Sequence, residues 1–216
     1  MKKLLILSTT LLTFNSFAIE FKDKGNILGE LNKFLDSPTY ENSFSLGEVS
    51  SFDTKTCTYF DDQNLCETSS LELKVGAVDD IEVIIENSDA NSEDFIVSKN
   101  KWEKYKGNYI QIMLDDSDWL QSIQTKNTNL VDNDEVAYEY EVLGSRFIKI
   151  DHLGQDKSAM IVTGILKWRN GLVAAANFRI VKGMSFLASL NSYSIDLIGF
   201  AKVSMTLREY DHNENL

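Results

Sequence analysis

From residue 26 to 36 the apolar side chains fall at Ile27, Leu28, Leu31, Phe34 and Leu35, the spacing of one helix face. This predicts a short helix over 26–36, which Pro38 prevents from continuing. Beyond it the pattern changes to alternation and short apolar runs. Strands are predicted over 44–50, 55–60, 68–75 and 81–86, and again over 108–114, where Ile110, Ile112 and Leu114 alternate. Asp116 or Ser117 can cap a short helix through Trp119, Leu120 and Ile123, and the polar stretches 87–94 and 127–134 read as loops.

The C-terminal half is more regular. Residues 136–142 and 146–151 read as a hairpin joined around Gly144, and 158–168 with 171–181 as a second, turning at Arg169-Asn170-Gly171. Asn-Gly supplies the two positive φ values that a type I′ turn requires. The runs 159–166 and 172–176 are apolar on both faces, which places this hairpin centrally, with Met160, Val162, Leu166, Leu172, Ala174, Phe178 and Ile180 in the core. Ala174, Ala175 and Ala176 leave room for close packing by a helical connection over 183–190. Residues 193–207 read as one long final strand, its apolar face running from Tyr193 to Leu207, with Gly199 at a bulge or bend. About ten strands and two or three short helices define a mainly β, β-rich α+β chain. The expected form is one domain built on an antiparallel sheet, as a sandwich or a partly closed barrel.

The first eighteen residues stand apart. Lys2 and Lys3 precede the apolar stretch 4–14, and Ser16 and Ala18 supply small residues before Ile19. This is the layout of a cleavable export signal, with the single domain expected over 19–216 and a short polar tail over 209–216. No later segment is apolar for the roughly 20 residues that a transmembrane helix needs. Export sends the protein to the periplasm or the exterior, where Cys57 and Cys66 are expected to form a disulfide. The strand-like flanks of the two cysteines and the turn-like Asp61 and Asp62 set them opposite each other in a hairpin.

Charge narrows the function further. The chain has 33 acidic and 21 basic residues, a formal net charge of −12, which argues against nucleic-acid binding. The imbalance is uneven: residues 19–142 hold 27 acids and ten bases, whereas residues 143–208 hold nine bases and three acids. Either the basic strands build a face for an anionic partner, or they pair with acidic neighbours across one sheet.

Candidate chemistry is sparse. Asp89, Asn91, Glu93 and Asp94 space oxygen ligands like the start of a calcium loop. The stretch, counted from Asn87, has Ser92 and Ser98 where an EF-hand requires Gly and Glu, so a resident metal is not expected. His152 lies beside Asp151, but adjacent strand residues point to opposite faces, so that acid does not orient the imidazole. No nucleophile elbow, phosphate loop or dinucleotide fingerprint occurs, and no cofactor is expected. Lys99, Lys101, Lys104 and Lys106 surround Trp102 and Tyr105, a patch able to touch a glycan or an anionic head group. These features describe an exported, non-catalytic β-rich protein of the bacterial envelope or exterior that binds a protein, glycan or ligand partner. The alternatives are a small outer-membrane β-barrel and a carboxylate-dependent hydrolase.

Overall fold

The computed structural model describes residues 20–60, 63–88, 94–115, 138–168, 171–197 and 200–211. One ten-stranded sheet dominates. Its strands are β1 (Glu20–Lys22), β2 (Val49–Phe60), β3 (Gln63–Val78), β4 (Glu82–Asn87), β5 (Phe95–Ser98), β6 (Tyr138–His152), β7 (Gln155–Trp168), β8 (Val173–Val181), β9 (Leu190–Leu197) and β10 (Ala201–Asp211). The spatial order is β1-β6-β7-β8-β9-β10-β2-β3-β4-β5. All pairs are antiparallel except β1 on β6. The sheet is therefore mixed. β1 and β5 are its two edges, so among the described residues it closes neither into a barrel nor into a sandwich, and the outer-membrane barrel loses its structural basis.

Five short helices accompany the sheet among the described residues: α1 (Ile27–Phe34), α2 (Tyr40–Ser43), α3 (Lys99–Lys104), α4 (Tyr109–Asp115) and α5 (Phe186–Ser189). They cover its inner face. Asp23 starts α1, its carboxylate accepting from the backbone N–H of Ile27 at 2.8 Å and of Leu28 at 2.7 Å. Phe34 on α1 packs on Phe147 of β6, with ring centroids 5.4 Å apart. Trp102 on α3 sits in an aromatic cluster with Tyr40, Phe44, Tyr109 and Phe186, with centroids 5.3–6.2 Å away.

The β7–β8 hairpin forms where expected and buries the expected face, but its turn is not type I′: the Trp168 N–H donates to the Leu172 carbonyl and the Gly171 N–H to the Trp168 carbonyl, so the connection holds three residues where a type I′ turn at Asn170-Gly171 holds two. Lys167 pairs with Val173, Gly171 has φ 86°, and Met160, Val162, Leu166, Ala174, Phe178 and Ile180 are buried. Leu172 is only half-buried, and Asn170 lies outside the described residues.

Four local expectations are corrected. Residues 138–152 form one strand, because Gly144 sits at a bulge between Val142 and Gly144 rather than at a turn. Residues 193–207 form two strands, not one. Ala201 pairs back on Leu197, Val203 on Ile195 and Met205 on Tyr193, so the alternation survives the reversal and these apolar residues stay on one face. Residues 109–115 are helical rather than extended. Tyr109, Ile110, Ile112, Met113 and Leu114 are all buried, and a helix enclosed on nearly all sides shows no 3.6-residue stripe. Asn108 starts it, accepting from the Gln111 N–H at 3.2 Å. Finally, 44–48 is not strand; β2 begins at Val49.

Candidate functional site

A cavity of about 150 Å³ lies between the inner face of the sheet and helices α4 and α5. Its floor comes from neighbouring strands: Phe178 on β8, Tyr193 on β9, Met205 on β10, Phe52 on β2 and Leu71 on β3. Cross-strand register brings them together, since Phe178 pairs with Tyr193, Tyr193 with Met205, and Phe52 with Leu71. Met113 of α4 and Phe186 and Leu187 of α5 complete the enclosure.

Helix α5 is fixed by its own chemistry. The Ser185 hydroxyl accepts from the Ala188 N–H at 3.4 Å and donates to the carboxylate of buried Glu48, tying α5 to the start of β2. Phe186 then stacks on Phe95 of β5, with centroids 6.3 Å apart.

The polar side chains of the lining are Asn87 and Asp94, with the phenol of Tyr193. The Asn87 N–H donates to Asp94 at 3.1 Å across the ends of β4 and β5. Asp94 is exposed and Leu71, Leu73 and Phe95 are half-buried, so solvent reaches the cavity from the β3–β5 side. Burial pushes the Tyr193 phenol well above its ordinary range and keeps it neutral. A concave apolar space with a few polar groups to one side can take up an apolar molecule and orient its polar end.

The sequence-derived candidates lie elsewhere, with one exception. Cys57 and Cys66 face each other in the β2–β3 ladder and form a disulfide, Cα–Cα 4.1 Å. Of the basic-aromatic patch, Trp102 and Tyr105 are buried, so neither ring is open for stacking on a glycan; only the lysines remain at the surface or close to it. Lys99 pairs with Glu41 at 3.4 Å and Lys104 with Asp115 at 3.7 Å; Lys101 is half-buried and Lys106 exposed. Tyr105 donates to Asp115 at 2.7 Å. Asp89, Asn91 and Glu93 lie outside the described residues, and the exception, Asp94, lines the cavity. Among the described residues no three His, Cys, Asp or Glu side chains gather as metal ligands. His152 is buried, its Nδ1 3.1 Å from Asn191 Nδ2, apart from any carboxylate orienter.

The cavity itself was missed. Its signal in the sequence is faint: Leu71 and Leu73 at alternate positions of β3, single aromatics on β2 and β5, and two methionines, Met113 and Met205, facing one space.

No family model matches the chain, and no curated protein matches it. Among solved structures it is similar to the lipoprotein LppX of Mycobacterium tuberculosis, at 14% identity and TM-score 0.34, over 90% of this chain and 98% of that one. A putative outer membrane lipoprotein-sorting protein domain from Vibrio parahaemolyticus aligns at 7% identity and TM-score 0.31, over 88% and 93%. A DUF1329 family protein from Desulfovibrio piger aligns at 9% identity and TM-score 0.30, over 90% and 95%. At identities of 7–14% and TM-scores of 0.30–0.34, the functional reading rests on the cavity and not on these likenesses.

Proposed function

We propose that this protein is an exported, non-catalytic carrier that holds an apolar segment of its ligand between the sheet and helices α4 and α5. The observation that carries the reading is the cavity of about 150 Å³ with its apolar floor and roof. An apolar space of roughly that size admits a molecule as large as benzene. Export is supported by the charged, apolar and small-residue pattern over 1–18 and by the Cys57–Cys66 disulfide.

Size sets the energetics. A segment of about six carbons gains roughly 5 kcal/mol at ~0.8 kcal/mol per buried CH₂. That corresponds to a Kd of about 0.2 mM before binding costs. A tighter ligand must add contacts outside the cavity, and Asn87 and Asp94 are the polar groups nearest at hand. Met113 and Met205, with several rotatable bonds, let the space widen for a longer chain.

The test is a calorimetric titration with 1-hexanol, whose six carbons match the cavity. The wild-type protein binds it saturably at about one molecule per chain. Leu71→Trp fills the floor and removes the binding while the protein stays folded. Equal binding in both proteins contradicts the proposal.

A further inference from the structure

Three basic residues of the C-terminal half, Arg146, Arg179 and Lys202, line a groove on the opposite face of the sheet. Arg179 follows Phe178 and Ile161 follows Met160, and successive strand residues point to opposite faces, so both arginine and isoleucine face away from the core. Arg146, Ile161 and Arg179 are paired across β6, β7 and β8 in one row. The next row along the strands runs Thr163, Asn177, Ser194 and Ser204 across β7 to β10. The two rows, with Lys202 at the far end, line an open groove of about 470 Å³ that has no carboxylate in its lining.

Neighbouring acids already have cationic partners. Asp196 pairs with Lys202 at 3.8 Å and Asp53 with Arg208 at 3.2 Å. Arg146 and Arg179 make no ion pair among the described residues. Arg179 gives Nη1 to Asn191 Oδ1 at 3.4 Å, and its Nε is buried with no hydrogen-bond partner. Arg179 has no carboxylate partner among the described residues, and charge-assisted hydrogen bonds from its remaining guanidinium donors to an anion are of the strong kind. One strand, β7, lies between the arginines, which puts their Cα atoms about 10 Å apart, so both guanidinium groups can reach one tetrahedral oxyanion above Ile161.

We propose that this groove binds a small phosphate ester of a polyol. Arg146 and Arg179 hold the phosphate, and the Thr163–Asn177–Ser194–Ser204 row faces the ligand's hydroxyl groups. A chain of net charge −12 repels a long polyanion, which restricts the ligand to few charges.

Calorimetric titration with glycerol 1-phosphate at low ionic strength tests this, with glycerol as the neutral control and vesicles of phosphatidylglycerol as a second source of the same group. Wild-type protein binds the ester saturably, binds no glycerol, and loses affinity as salt rises. Arg146→Gln and Arg179→Gln each weaken binding at least tenfold. Arg146 is exposed, so Arg146→Gln decides the matter if Arg179→Gln fails to fold. Binding to vesicles alone, lost in Arg146→Gln, assigns the phosphate to a lipid head group and supports the oxyanion site. No saturable binding to ester or vesicles, or binding unchanged in Arg146→Gln, overturns it.

Discussion

The ring of Tyr140 on β6 lies over Gly164 on β7, so close that a Cβ at Gly164 stands 2.5 Å from two of its ring carbons. The pair sits where Tyr140, Phe178 and Phe21 meet edge to face, with centroids 6.1 and 6.3 Å from the Tyr140 ring. Gly164→Ala is expected to destabilise by about 1–3 kcal/mol, because a ring buried at 0% exposure has nowhere to move. The Tyr140 hydroxyl is itself buried without a hydrogen bond, so Tyr140→Phe is expected to leave Tm unchanged or raise it. Thermal unfolding of the two variants checks both.

The disulfide closes a short loop at the far end of the β2–β3 hairpin, where Leu65 to Ser70 are exposed. In the chain-entropy account a loop of about ten residues contributes roughly 2–3 kcal/mol. The double variant Cys57→Ser, Cys66→Ser should lower stability by that amount in urea unfolding. A midpoint equal to wild type would show that the hairpin holds itself in register without the bridge.

At the β7–β8 turn, Gly171 donates its N–H to the Trp168 carbonyl at 3.0 Å with φ 86°. A Cβ there meets nothing within 4 Å, so the cost of a side chain is conformational and not steric packing. Gly171→Val is expected to destabilise by about 1–2 kcal/mol, with Gly171→Asn milder because Asn tolerates the left-handed region. Equal melting temperatures for Val and Asn would contradict this.

His152 predicts a pH dependence. Burial holds its pKa below the ordinary 6.5, with Lys157 pushing the same way and Asp151 opposing. The unfolded chain therefore binds this proton more tightly than the folded chain. Stability is complete above about pH 6.5 and declines as pH falls below it. Glu41, Asp79 and Glu141, held below their ordinary values of 4.5, 3.8 and 4.5, add their losses only at lower pH. Unfolding free energies at pH 7.5 and 5.5 should differ in wild type and differ less in His152→Gln. The same difference in both proteins would remove His152 as the cause.

Much of the sheet was legible because its strands obey period two. The pairing of Cys57 with Cys66 followed from turn residues and alternation, and the buried face of the β7–β8 hairpin from alternation, although its turn type did not. The 193–207 segment shows the limit: a hairpin that returns in register looks like one strand, because Leu197 and Ala201 keep the same face. Helix α4 hid for the opposite reason, being apolar on nearly all sides. The Trp102 patch misled because the flanking lysines suggested solvent, whereas α3 turns its ring into the aromatic cluster and leaves the lysines outside. The charge asymmetry was real, yet its cations divide between cross-strand pairing, as in Lys167 with Glu139 and Glu141, and the unpaired arginines of the groove. The cavity depends on which large side chains meet across strands far apart in sequence, and no local pattern encodes that.

The most direct measurement is a crystal structure of the protein soaked with 6-bromohexan-1-ol, read by bromine anomalous scattering. The account predicts a bromine peak between Phe178 and Met205 on the floor and Met113 and Phe186 on the roof, with the hydroxyl directed toward Asn87 and Asp94. No peak in that cavity at saturating ligand, or peaks only on the outer faces of the molecule, would contradict the claim that this space holds the ligand.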